Sequence, residues 1–216
     1  MTFDAKDLAA QQSFRRLKEE VSRADPATLR LILTEARTQN VWQERDVSND
    51  TLEEIYQIMK MGPTSANCCP ARIVFLKSQP GKERLRAALK PNNIDKTMSA
   101  PVTAIIAYDT AFWQHAETMF PQNPGAQLTF KDNPMGSGIA AFRNGSLQGA
   151  YFLIAARAVG LDCGPMSGFD NALVDDEFFP DTTLKSNFLC NLGYGDASKT
   201  FKRLPRFDFD EVCEIL

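Results

Sequence analysis

The sequence predicts one large globular domain that mixes helices and strands, and three stretches carry that prediction. Residues 138–159 place Ile139, Ala140, Phe142, Leu147, Ala150, Tyr151, Ile154 and Ala158 around much of a helical circumference, which marks a helix enclosed on several sides. Residues 102–108, VTAIIAY, are a continuous apolar run rich in β-branched side chains, the pattern of a buried central strand. Residues 184–194 alternate Phe188, Cys190, Leu192 and Tyr194 against Asn187, Leu189, Asn191 and Gly193, and read as a second strand. With 216 residues, the chain can bury roughly 70% of its unfolded surface and needs no covalent staples.

Composition narrows the class. Hydrophobic residues make up 44% and charged residues 24%, and the formal net charge is −3, which argues against nucleic acid or an anionic membrane as the main partner. No apolar run approaches the ~20 residues of a membrane span, and the opening MTFDAKDLAAQQ is too polar for a signal peptide. The five cysteines include no CxxC pair, so a reducing cytoplasm is the expected setting, with thiols as packing groups. The adjacent Cys68 and Cys69 read either as packing groups or as a redox switch. The single histidine, His115, excludes zinc sites built on several histidines and reads as a solvated loop residue.

In chain order, residues 4–23 pattern as an amphipathic helix with Phe14, Leu17 and Val21 on one face. A second helix opens at Asp25-Pro26, an N-cap followed by proline at the first helical position, and leaves through Arg37, Thr38, Gln39 and Asn40. A third spans about 48–61, capped by Ser48 and striped by Leu52, Ile55, Tyr56 and Met59. The loop that follows, MGPTSANCCP, breaks helix with Gly62, Pro63 and Pro70 and offers small polar side chains between them. It reads equally as a plain turn or as a loop that brings backbone and hydroxyls close to a flat polar ligand. Next come a strand at 72–77, a short basic helix from Pro80 to about Leu89, a polar stretch around 92–96, and the buried strand. Residues 109–137 carry few regular signals but hold Phe112, Trp113, Phe120 and Phe130, which suits a lid, a binding loop, a subunit contact or plain surface. Gly160 ends the long helix. LDCGPMSG (161–168) follows and holds a loop at 164–168, Asp170 caps a helix to Phe178, and the tail 196–216 has a basic cluster followed by FDFDEVCEIL.

The chemistry begins with exclusions. Gly136–Ala141 fits GxGxxA, but the polar LTFKDNPM before it is no strand, so a dinucleotide fingerprint is rejected. No phosphate-binding GxxxxGK[ST] occurs, and Ser65 and Ser167 lie outside any GxSxG, which leaves hydrolase chemistry with little support. Arg37, Lys96, Arg203 and the loops at 63–72 and 164–168 remain. Each alone suits a solvated surface; together they suit a phosphate clamp with a hydrogen-bonding wall for a planar ring.

The stretches EARTQNVW (35–42), GPTSANCCPARIVF (62–75), KTMSAPVTAII (96–106), AFRNGSLQGAYFLIAARAVGLDCGPMSGFD (141–170), LKSNFLCNLGYGD (184–196) and KRLPR (202–206) make the chain recognisable. Over about residues 28–216 it resembles the nitroreductase-like family of flavin mononucleotide (FMN) enzymes. Within that family it is most similar to the malonic semialdehyde reductases of bacterial pyrimidine degradation. The resemblance implies an α+β fold with a central mixed sheet flanked by helices. It also implies an interlocked homodimer with each FMN at the interface, the long helix pairing across the two-fold axis and the C-terminal segments reaching across. Residues 1–25 would be a helical extension and 26–216 the FMN-binding domain.

The same resemblance assigns cofactor contacts. Arg37 matches the arginine on the FMN phosphate, with Thr38 and Gln39 beside it and Gln39 in place of a usual serine. Pro63, Thr64, Ser65 and Asn67 match the loop over the flavin and ribityl chain. Lys96 matches a lysine near the flavin N1/O2 edge. Pro165, Met166, Ser167 and Gly168 match the loop beside N5, with Ser167 where many relatives carry an acidic residue. Arg203 matches the C-terminal phosphate arginine, with Lys202 as a helper. Cys69 and Ala71 replace the usual glutamine and aromatic residue and reshape the site. The implied activity is ping-pong hydride transfer from NADH or NADPH through FMN, with no catalytic side chain and no metal. The implied product from malonic semialdehyde is 3-hydroxypropanoate, and Arg72 and Arg143 are candidate cations for the substrate carboxylate, against a structural or solvated role. A broad nitroreductase or quinone/flavin reductase, and a flavin-binding carrier with little turnover, are the alternatives.

Overall fold

The computed structural model describes residues 4–216; the first three residues of the expected extension lie outside them. The chain divides into two compact units, Met1–Ala36 and Arg37–Leu216. In the first, α1 (Ala5–Glu20) opens on a reciprocal capping box between Asp4 and Asp7, and none of its side chains is buried. Asp25 caps α2 (Pro26–Leu29) as its sequence predicts, and the helix widens into a π-helical turn over Arg30–Thr34.

The second unit is built on a four-stranded sheet in the order β1-β2-β4-β3, from β1 (Ala71–Leu76), β2 (Val102–Asp109), β3 (Asp162–Met166) and β4 (Leu184–Gly193). All strand pairs are antiparallel. The parallel component of the expected mixed sheet is one isolated bridge between Thr38 and Cys163. β2 lies between two partners and is covered on both faces, which explains its unbroken apolar sequence. Ala104 and Ile106 face a core shared with α3 (Asn49–Met59) and α8 (Pro134–Ala158), whereas Ile105 and Ala107 face a core shared with α4 (Gln79–Arg86) and α9 (Asn171–Phe178).

Three readings change. The polar stretch around 92–96 is part of a helix, α5 (Pro91–Met98), whose buried side chains are Asn93 and Thr97. The expected loop at 164–168 begins inside β3, a strand at the edge of the sheet, where a proline such as Pro165 is tolerated because the strand's outer side is bridged only at Cys163 among the described residues. The irregular 109–137 segment holds a 3-10 turn over Phe112–His115 and two short helices, α6 (Ala116–Met119) and α7 (Gly125–Leu128). Its last residues already belong to α8, where Asn133 accepts from the Gly136 amide and Pro134 takes the first turn. The GxGxxA match therefore lies inside a helix that no strand precedes.

α8 fixes the middle of the unit. Gly149 lets it close on the sheet, because a Cβ there would lie 2.4 Å from the Phe188 ring. Its buried face carries Ala141, Gly145, Gly149, Phe152 and Ala156. The opposite face stays exposed and apolar, with Ile139 54% and Phe142 52% accessible, so the enclosure predicted from its sequence is half realised within one chain. No helix among the described residues is long and apolar enough to cross a membrane.

Candidate functional site

The expected site residues fall into two groups at opposite edges of the sheet. The first gathers on β3. The backbone of Arg37, Thr38 and Gln39 runs beside it: Thr38 bridges Cys163, and the Gln39 amide donates to the Cys163 carbonyl at 3.0 Å. Gln39 is buried, and its carboxamide pairs with the Thr200 hydroxyl at 3.3 Å. That contact pins the start of the C-terminal tail, and Lys202 and Arg203 follow within about 10 Å of extended chain.

α5 enters from the other side. The Asn93 carboxamide donates to the Gly168 carbonyl at 2.7 Å, and the Lys90 amide donates to the same oxygen at 3.0 Å. Thr97 donates to the Met166 sulfur at 3.6 Å, and the Asn191 carboxamide donates to the Lys96 carbonyl at 3.1 Å. The indole of Trp42 donates to that carbonyl as well, at 3.0 Å. A Cβ on Gly168 would come within 2.4 Å of the Asn93 amide nitrogen, so the backbone there is kept bare. Pro165 is half-buried, Met166 buried and Ser167 exposed. Lys96 is half-buried, and burial pushes its proton affinity below that of an ordinary lysine. Among the described residues its ammonium has no hydrogen-bond or ion-pair partner.

The second group is the 62–70 loop, which feeds β1. Three of its non-glycine residues adopt left-handed backbone, Ala66 at φ 47°, Asn67 at φ 50° and Cys69 at φ 38°. Each costs of order 1 kcal/mol or more. The Ser65 amide donates to Asn144 Oδ1 at 2.9 Å, the Ala71 amide to Gln148 Oε1 at 2.8 Å, and the Tyr151 hydroxyl to the Pro63 carbonyl at 3.0 Å. Thr64 Oγ1 accepts from the Cys69 amide at 3.1 Å. Asn67 donates to the Met119 carbonyl at 2.6 Å and accepts from the Cys69 thiol at 3.3 Å. The hydroxyl of Ser65 is left without a partner among the described residues.

Several expected ligand groups are thus engaged with protein. Gln39 and Asn67 use their carboxamides to hold the tail and the 109–137 segment. Arg72 is paired with buried Asp109 at 3.0 Å and donates to the carbonyls of Cys69 and Ala71. Arg143 lies exposed on α8, next to Phe142 on its solvent face. Asn144, Gln148 and Tyr151 are absent from the sequence-derived site. Their signal was three hydrogen-bonding residues at i, i+4, i+7 along an otherwise apolar helix.

A cavity of about 660 Å³ adjoins this loop, and Cys69, Ala71, Arg72, His115, Met119 and Gln148 are among its walls. Cys68 is buried, and desolvation raises its thiol pKa to about 11, which keeps it protonated and unreactive. The two groups do not meet within one chain, because β1 and β3 are three strand spacings apart, about 14 Å.

The donor chemistry of the β3 group suits FMN: cations for a phosphate, and a bare backbone turn for the edge of a flat ring. Solved structures share the fold. The nitroreductase ydfN of Bacillus subtilis superposes with a TM-score of 0.81 at 20% identity, over 89% of this chain and 100% of that one. An NAD(P)H:FMN oxidoreductase of Staphylococcus epidermidis gives 0.75 at 20% identity, over 86% and 94%. A nitroreductase of Exiguobacterium sibiricum, solved in complex with FMN, gives 0.79 at 14% identity, over 90% and 99%. Residues 37–194, from the arginine that opens the second unit to the residue after its last sheet strand, match the Nitroreductase family, and the chain belongs to that family.

Proposed function

We propose that the chain is an FMN-dependent NAD(P)H oxidoreductase that acts as a homodimer and reduces malonic semialdehyde to 3-hydroxypropanoate. The observation that carries the cofactor is the meeting of four segments at β3: Arg37, Lys96 with its unneutralised half-buried ammonium, the bare Ser167-Gly168 turn, and the start of the tail. An anionic ligand beside Lys96 offsets the desolvation that disfavours its charged form. Arg37 holds the phosphate and, with Lys202 and Arg203, fixes the ligand's polar end. Bound FMN supplies two-electron hydride transfer between NADH or NADPH and the substrate.

The homodimer reading rests on three observations. The 62–70 loop and the β3 group lie at opposite sheet edges. α8 exposes an apolar stripe through Met135, Ile139, Phe142, Leu147 and Ile154. The tail leaves Phe201, Leu204, Phe207, Phe209 and Ile215 exposed, which suits a segment that covers a second copy.

A second reading, a nitro or quinone reductase of broad range, is favoured by the cavity beside Cys69 and Ala71. Its volume of about 660 Å³ exceeds what a three-carbon substrate fills. An acceptor panel on the FMN-loaded protein separates the two. After reduction by NADH or NADPH, rapid reoxidation by malonic semialdehyde with slow reoxidation by nitrofurazone and quinones supports the first reading. The reverse order supports the second. A preparation that takes up no FMN overturns both.

A further inference from the structure

We propose that Asn144 and Gln148 are positioning residues that hold the strained 63–71 loop ready for its ligand; this rests on reading that loop as part of the FMN site. The left-handed residues Ala66, Asn67 and Cys69 are bracketed by amide hydrogen bonds to one face of α8. Asn144 Oδ1 takes the Ser65 amide just before the first of them, and Gln148 Oε1 takes the Ala71 amide just after the last. Both clamp side chains are buried, Asn144 3% and Gln148 4% exposed, on a helix whose other buried residues are mostly small or apolar. Asn144 is itself fixed by donating to the Ala140 carbonyl at 2.9 Å.

The loop is braced from the other side too. Gln127 donates to the Ala66 carbonyl at 2.8 Å while fully buried. Its Oε1 is the one buried side-chain polar atom without a partner among the described residues. A buried unsatisfied acceptor costs free energy, so this network is retained at the expense of stability. Strain in the loop and an unpaired polar atom on the α7 residue that braces it are the marks of a pre-organised site rather than of a turn chosen for stability. The clamp leaves the Ser65 hydroxyl free and aligned by its own amide. Without the clamp, Ala66, Asn67 and Cys69 relax to ordinary backbone and that hydroxyl loses its orientation.

Three variants of the full-length protein test this: Asn144→Leu, Gln148→Leu and Ala66→Gly. Glycine at 66 removes the steric cost of the left-handed turn, so it lowers the need for the clamp. Amide hydrogen exchange of Ser65 and Ala71 is read without ligand, and FMN affinity by flavin fluorescence titration. The expected result is faster exchange at both amides and at least about tenfold weaker FMN binding in Asn144→Leu and Gln148→Leu, with much of the loss recovered when Ala66→Gly is added. A purely structural role predicts no such recovery. Unchanged FMN affinity in a folded Asn144→Leu or Gln148→Leu protein, or equal losses with and without Ala66→Gly, overturns the proposal. Where Asn144→Leu fails to fold, Gln148→Leu carries the test. If the unaltered protein binds no FMN, the cofactor reading falls, and exchange at Ser65 and Ala71 still decides the clamp: slow exchange in both leucine variants overturns it, and fast exchange supports it for a different ligand.

Discussion

Arg72 had two readings, a cation for the substrate carboxylate or a structural group, and the structure makes the second quantitative. Its guanidinium meets Asp109 at 3.0 Å, with side-chain exposures of 34% and 10%. Asp109 also accepts from the Ala111 amide at 2.8 Å and the Thr183 hydroxyl at 2.7 Å, so it ties the end of β2 to β1, to the following turn and to the entry of β4. For a pair one-third exposed on one side, the coupling is expected at about 1–2 kcal/mol, between surface and buried values. Asp109→Ala also strands two donors, which adds about 1 kcal/mol each and brings its cost to about 3–4 kcal/mol. Arg72→Met keeps the packing of the stem and leaves Asp109 two neutral donors, for a cost of about 2 kcal/mol. Urea unfolding of the wild type, both single variants and the double variant, followed by circular dichroism, closes the cycle. A coupling under about 0.5 kcal/mol refutes the structural assignment. So does an Arg72→Met protein of unchanged midpoint whose KM for a carboxylate-bearing aldehyde rises by about tenfold or more.

Two further predictions follow from burial. Desolvation raises the Cys68 thiol from 9.0 to about 11, so its neutral form is favoured in the folded state and stability is lost as pH climbs from the first value to the second. The shift corresponds to about 2–3 kcal/mol, and the check is that Cys68→Ala flattens the alkaline fall in unfolding free energy relative to wild type. Gly149→Ala would place a Cβ 2.4 Å from the Phe188 ring and force α8 off the sheet. A loss of about 2–3 kcal/mol is expected in urea unfolding, and a neutral outcome would show that the ring moves aside freely.

What the sequence revealed depended on whether an element's inward face was apolar. β2 was legible because both of its faces meet hydrocarbon, and α3 because its stripe is Leu52, Ile55 and Met59. α5 was not, because it buries Asn93 and Thr97, whose partners Gly168 and Asn191 lie 75 and 94 residues away. Hydrophobic periodicity cannot register a face satisfied by distant hydrogen bonds. β3 was hidden by Gly164 and Pro165, residues that read as a loop until an edge position makes them acceptable. At the site, resemblance pointed to Arg37, Lys96 and Ser65. It assigned ligand roles to Gln39 and Asn67 as well, and their carboxamides also have protein partners in Thr200 and Met119. No local pattern distinguishes a carboxamide that holds a ligand from one that holds a neighbouring segment.

The separation of the two groups has a chemical consequence. The β3 group carries the cations expected at the anionic end of the ligand, while the 62–70 loop, at the far edge, has a free hydroxyl and no cation of its own. On the proposed homodimer each copy contributes one group to each of two sites. The loop's strain is then sustained by α8, the same helix whose opposite face, through Ile139 and Phe142, is exposed for the second copy. Any movement of α8 at that contact would be passed through Asn144 and Gln148 to Ser65 and Ala71, because both side chains are buried and hydrogen-bonded to those amides. On that proposed homodimer, association and loop geometry are linked through α8, and a substitution on its exposed stripe is expected to weaken ligand binding without touching a residue of either group.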